Sequence, residues 1–221
     1  MRIDRRHWTA WVAGALVVAG LALPAPPATA QNLLEDFMIA VANDRVGDVR
    51  KLLARGVIPD AVDRNGDPAL LVAARAGNAA TVDALLAAGA RVDARNAFGD
   101  TALMVAALGG RLEIAKKLRG AGAAVNQRGW TPLIYAATGG HDEMVRYLLA
   151  EGAEIDAPSP NGTTALMMAA REGRLSTVDL LVARGADVNR RNQDGVSALD
   201  WAKRGSEPLL AVHLRRAGAR D

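Results

Sequence analysis

Catalysis would have to come from few groups here, because the 221 residues include no cysteine and only three histidines. His7, His141 and His213 stand alone in the chain, and no two have the spacing of metal ligands on one element. A cysteine nucleophile is excluded outright. There are 24 acidic side chains, and paired-carboxylate hydrolysis needs two of them held across one cleft. Asp63, Asp93, Asp156 and Asp187 instead recur along the chain, where a short polar side chain closes a turn by bonding to backbone. No glycine cluster has the form of a phosphate loop between strand and helix. His141 follows Gly140 and is expected to start a helix, His213 to face solvent. The chemistry left is non-covalent recognition, with no enzyme, metal or cofactor implied.

A repeat must position these groups. Gly66 and Gly99 are 33 residues apart, as are Gly162 and Gly195, and Gly56 and Gly89 keep the same interval. Such a period marks a stack of helix pairs, each too small to bury its own apolar face. The blocks Gly66-Asp67-Pro68-Ala69-Leu70, Gly99-Asp100-Thr101-Ala102-Leu103, Gly129-Trp130-Thr131-Pro132-Leu133, Gly162-Thr163-Thr164-Ala165-Leu166 and Gly195-Val196-Ser197-Ala198-Leu199 set a tight turn before a helix, usually capped by Thr or Ser. Ala73-Ala74, Ala106-Ala107, Ala136-Ala137 and Ala169-Ala170 let that helix press closely on the next unit. A second turn at Gly77, Gly110, Gly140 and Gly173 leads to a helix whose seam carries Leu85-Leu86, Leu118, Leu148-Leu149 and Leu180-Leu181. Gly89, Gly122, Gly152 and Gly185 stop it. From Gly99 to Gly129 the spacing is only 30. The deficit falls in residues 123–128, so one hairpin is expected to be stunted.

The motif resembles the ankyrin-repeat family, whose pattern reads G-x-T-P-L-H-x-A-A-x-x-G, then a helix with L-L, then x-x-G-A-D-V-N. Gly129 to Gly140 and Gly173 to Asn189 match it closely, and the resemblance runs from about Leu33 to the C-terminus. It implies an all-α solenoid of stacked helix pairs with short β-hairpin loops. The expected units are 31–61 (N-terminal cap), 62–94, 95–127, 128–157 (shortened), 158–190 and 191–221 (C-terminal cap). The family's His is replaced by Leu71, Met104, Ile134, Met167 and Asp200, so apolar contacts must take over its role of tying turns together. The resemblance also implies that a protein partner lies in the concave groove. Matching positions at the hairpin tips are Arg64, Asn65, Asp67, Arg95, Phe98, Asp100, Trp130, Asn161, Thr163, Gln193, Asp194 and Val196. Along the inner helices they are Arg75, Leu108, Thr138, Arg171, Glu172 and Lys203.

Phe98 and Trp130 stand out in a chain that is 4% aromatic. Each is either an interface anchor or packing over the stunted hairpin. Tyr135 and Trp201 share one inner-helix position and are expected to pack between units, as are Met104, Met167 and Met168. The charges at groove positions are mixed, whereas a nucleic-acid groove would be mainly basic. A protein surface is the expected counterpart, the alternative being self-association as a structural element.

Residues 1–30 read as a secretory signal peptide: Arg2, Arg5 and Arg6, an uncharged apolar run from Ala10 to Leu23, then Ala28-Thr29-Ala30 as a cleavage site before Gln31. That run is short for a membrane span. Removing the segment leaves 24 basic and 23 acidic side chains, a formal charge of +1. No stable membrane insertion is expected after cleavage. A short leader and a cysteine-free body fit a Gram-negative periplasm, or secretion, with a monomeric product stabilised by its stacked core.

Overall fold

The computed structural model describes residues 28–205 and 207–221. Its twelve described helices are α1 (Ala28–Ala42), α2 (Val46–Ala54), α3 (Ala69–Ala76), α4 (Ala79–Ala87), α5 (Ala102–Leu108), α6 (Leu112–Gly120), α7 (Pro132–Gly139), α8 (Asp142–Ala150), α9 (Ala165–Arg171), α10 (Leu175–Ala183), α11 (Ala198–Arg204) and α12 (Pro208–Arg216). Odd helices stack on odd helices and even on even, giving six two-helix layers in one solenoid. The leader expected over residues 1–30 lies outside the described residues, except that Ala28-Thr29-Ala30 opens α1.

Four inner helices, α5, α7, α9 and α11, start where the sequence puts a hydroxyl. Thr101, Thr131, Thr164 and Ser197 are buried, and each side chain accepts the backbone N–H three residues on. This satisfies a donor that the first turn of a helix would otherwise leave orphaned. Ala73, Ala74, Ala106, Ala107, Ala136, Ala137 and Ala169 are fully buried, so neighbouring inner helices meet backbone to backbone. Leu71, Met104, Ile134 and Met167 fill the layer interior at 0–1% exposure. Apolar packing thus does replace the expected histidine. Asp200 differs: it accepts from the Ser197 N–H at 2.9 Å and lies 3.0 Å from Arg191.

Two hydrogen-bond ladders tie the layers. In one, Asp60, Asp93, Asn126, Asp156 and Asn189 accept backbone N–H groups of Arg91, Ala124, Glu154, Asp187 and Arg220 at 2.8–3.1 Å. In the other, the residue at the start of α4, α6, α8 and α10 reaches back to a carbonyl of the inner helix one layer earlier. Asn78 bonds to Val41 O at 2.8 Å, Arg111 to Arg75 O at 2.8 Å and Arg174 to Thr138 O at 3.2 Å. His141 does the same to Leu108 O at 2.9 Å.

The tips are turns rather than β-hairpins. Among the described residues the only extended pairing is two isolated antiparallel bridges, Val62 to Pro68 and Arg191 to Ser197. Side chains do the work of strands: Asp63, Asn96, Ser159 and Asn192 each accept the backbone N–H four residues on, at 2.8–3.0 Å. Each of these turn-closers follows a ladder residue by three positions. In the third tip those three positions are missing, and Asn126 alone must serve both ends. It takes the ladder role, also donating to Gly152 O at 2.9 Å, so that turn is left without its closing side chain.

Candidate partner-binding groove

The groove floor repeats two inner-helix positions. One carries Val72, Val105, Tyr135, Met168 and Trp201, buried or half-buried; one turn on come Arg75, Leu108, Thr138, Arg171 and Arg204. The tips form the wall. Where the third tip is stunted, the floor opens into a cavity of about 330 Å³ lined by Phe98, Asp100, Leu108, Trp130, Tyr135, Thr138 and Met168. The structure therefore gathers Phe98, Asp100 and Leu108 of one repeat with Trp130 and Thr138 of the next at one place.

Their roles within it differ. Phe98 is 60% exposed and Leu108 42%, a large apolar surface held against water at the cavity mouth. Trp130 is half-buried against the core, its ring edge-on to Tyr135 at 6.2 Å and 80°. The Tyr135 hydroxyl donates to the Asp100 carboxylate. Burial, reinforced by that carboxylate, pushes the phenol well above its usual range, so it remains a donor throughout the physiological range. Thr138 is turned inward, bonding to Ile134 O at 2.8 Å.

Other expected groove positions are occupied with holding the protein together. Asp67, expected at an exposed tip, is 5% exposed and accepts from Arg75 at 2.6 Å and from Asn96 Nδ2 at 2.8 Å. Burial raises its carboxyl pKa, but the bonds from Arg75 and Asn96 outweigh burial and leave it below the ordinary value. Thr163, also expected to be exposed, is buried in the Ser159 turn. Arg64 pairs with Glu35 at 2.6 Å, and Arg95 bonds to Gly99 O at 2.9 Å and to Gln127. Gln193 joins the last two tips through Pro160 O at 2.9 Å and the Asn161 carbonyl at 2.9 Å. Asn161 and Asp194 stay exposed at those tips. Lys203 pairs with Asp221, and Glu172 lies 3.6 Å from Arg171.

Sequence reasoning gave Tyr135 and Met168 to packing; both also line the cavity. Their register with Trp201 was the available signal. Trp201 has the guanidinium carbons of Arg171 and Arg204 each 5.3 Å from its ring. Arg204 went unnoticed because its relation to Arg171 appears only across two layers. His213, expected in solvent, instead meets Asp179 Oδ1 at 2.8 Å, linking α12 to α10. A larger hollow of about 770 Å³ lies at the N-terminal end between α1 and the first tip, lined by Leu34, Met38, Ile39 and Val62 among others.

Comparison with known proteins agrees with this architecture. A family model described as ankyrin repeats (3 copies) matches residues 37–128 and 110–192. The crystal structure of the human ASB11 ankyrin repeat domain is similar, with a TM-score of 0.76 and 30% identity over 83% of this chain and 84% of that one. A curated human protein, ankyrin repeat and SAM domain-containing protein 3, is 49% identical over 35 residues, 16% of this chain. That match spans only 5% of the relative's length. With stacked helix pairs along the whole described chain and a family model covering most of it, the chain belongs to the ankyrin-repeat family.

Proposed function

We propose that this chain is a non-catalytic, monomeric protein-binding module, exported by a leader cut after Ala30, that scaffolds, protects or inhibits an envelope protein in the periplasm or outside the cell. The observation that carries the binding reading is the cavity at the stunted tip, where Phe98 and Leu108 stay exposed beside Trp130 and the Tyr135–Asp100 pair. An apolar hollow with a few fixed polar groups is the usual form of an anchor site. Export rests on the residue pattern of the leader alone.

Crosslinking in cells tests the groove. A photoreactive residue replacing Phe98 should trap a second protein, whereas the same group at Lys116, exposed on outer helix α6, should not. Adducts between copies of this chain alone would favour a self-associating structural element. For export, N-terminal sequencing of the product should begin at Gln31; an intact Met1 would sink that part of the reading.

A further inference from the structure

The groove floor changes character beyond the cavity. Met168 is the last apolar lining residue, and Arg171 lies one turn further along the same helix, α9. Trp201 continues the register of Tyr135 and Met168, and Arg204 continues that of Thr138 and Arg171. Both guanidiniums lie 5.3 Å from the Trp201 ring. A guanidinium resting on an aromatic face keeps N–H edges available for a carboxylate. Arg171 has one long contact, 3.6 Å to its neighbour Glu172. Among the described residues Arg204 has no carboxylate within 4.0 Å, and nearby Lys203 is taken by Asp221. The floor thus runs from an apolar hollow to two guanidiniums stacked on Trp201, with Glu172 and Glu207 bordering the Arg171 side.

We propose that the groove takes an extended, acidic segment of a partner protein: one apolar side chain fills the cavity beside Phe98, Leu108 and Trp130, and a carboxylate three to six residues along pairs with Arg171 and Arg204. The proposal rests on the protein-binding reading above and deepens it by naming the partner's chemistry. The spacing follows from the layers. The cavity is centred on α7 and the cations lie between α9 and α11, one to two layers away, or about 10–20 Å at the usual separation of packed helices. An extended chain covers that with about three to six residues. A nucleic-acid strand would also supply anions, but here a single apolar hollow precedes the cations instead of a basic track with repeated stacking platforms.

The test is selection of random 16-residue peptides displayed on phage against the protein as purified from the expressing cell. Enriched peptides should carry Phe, Leu, Ile or Met with Asp or Glu three to six positions away. A synthetic peptide from that pool should bind about tenfold more weakly to the double variant Arg171→Gln, Arg204→Gln, the size expected for losing a charge-assisted contact. Changing the peptide's acid to its amide should cost the same in the wild type and nothing further in the double variant. Phe98→Ala should weaken binding without altering its salt dependence. Enriched peptides without an acid, no enrichment, equal binding to the double variant, or displacement of the peptide by oligothymidylate would each overturn the proposal. Crosslinking from position 98 to another protein alongside acid-free peptides would sink this inference and leave the protein-binding reading standing.

Discussion

At Asp67 a charge is almost shut away from water yet stays ionised, because Arg75 and Asn96 donate to it. Asp67→Ala leaves the buried Asn96 amide without its acceptor, so it should destabilise the fold by about 1–3 kcal/mol. The carboxyl's folded pKa is depressed, so its contribution is complete above the unfolded value of about 3.9 and fades as the pH falls through the lower folded one. Urea unfolding at pH 5 and pH 2.5 should therefore show a smaller acid loss in Asp67→Ala than in the wild type. Phe98 and Trp130 separate binding from packing. Phe98→Ala should change stability by no more than about 0.5 kcal/mol and weaken partner capture, because its surface is mostly exposed. Trp130→Ala should do both, lowering stability by about 1–3 kcal/mol through loss of its core contacts and of Tyr135's edge. Thermal melts beside capture assays distinguish the two.

Among elements, the third tip shows how a shortened interval opens a cavity. Without the positions between ladder residue and turn-closer, Asn126 is held in the ladder, and the tip is braced by Gln127, which donates to Ala124 O at 3.3 Å, instead of by an Asx-type closure. Inserting Ala-Arg-Asn after Asn126 restores the interval seen at Asp93 to Asn96. The insertion should leave the melting temperature unchanged or raised while abolishing capture, as the rebuilt tip closes over the cavity. Inner-helix contact is tight elsewhere: a Cβ on Gly139 would lie 2.7 Å from Leu108 O and 2.4 Å from the His141 ring. Gly139→Ala should cost about 1–3 kcal/mol by forcing α7 from α5, read by chemical denaturation. The helix pairs were legible in the sequence because glycine, cap and leucine recur at fixed offsets. The tips were not fully so: the residues expected to form hairpins satisfy their backbone through Asx-type side-chain bonds, leaving only isolated bridges.

Across the whole molecule, each layer touches only its neighbours, so stability accumulates through nearest-neighbour interfaces and the ends open first. Hydrogen exchange should be slowest in α5 and α7, which have layers on both sides and fully buried alanine pairs, and fastest in α1 and α12. Uniform protection from end to end would contradict that picture. The same one-dimensional order gives the concave face its gradient, with an apolar hollow under α1, a smaller one at the stunted tip, and guanidiniums around Trp201 at the far end.

The stack itself follows from sequence alone: a 33-residue period, alanine pairs and turn glycines dictate helix pairs that can bury their apolar faces only against one another. The shortened interval before Gly129 was equally visible. What the tertiary structure decided is which groove side chains stay exposed and which are used up inside the fold. Asp67 and Thr163 are buried by contacts to turns, while Tyr135, Met168, Trp201 and Arg204 line the groove floor. A repeat fixes where each position points; whether that position is spent on the neighbouring layer depends on contacts between residues about 30 positions apart.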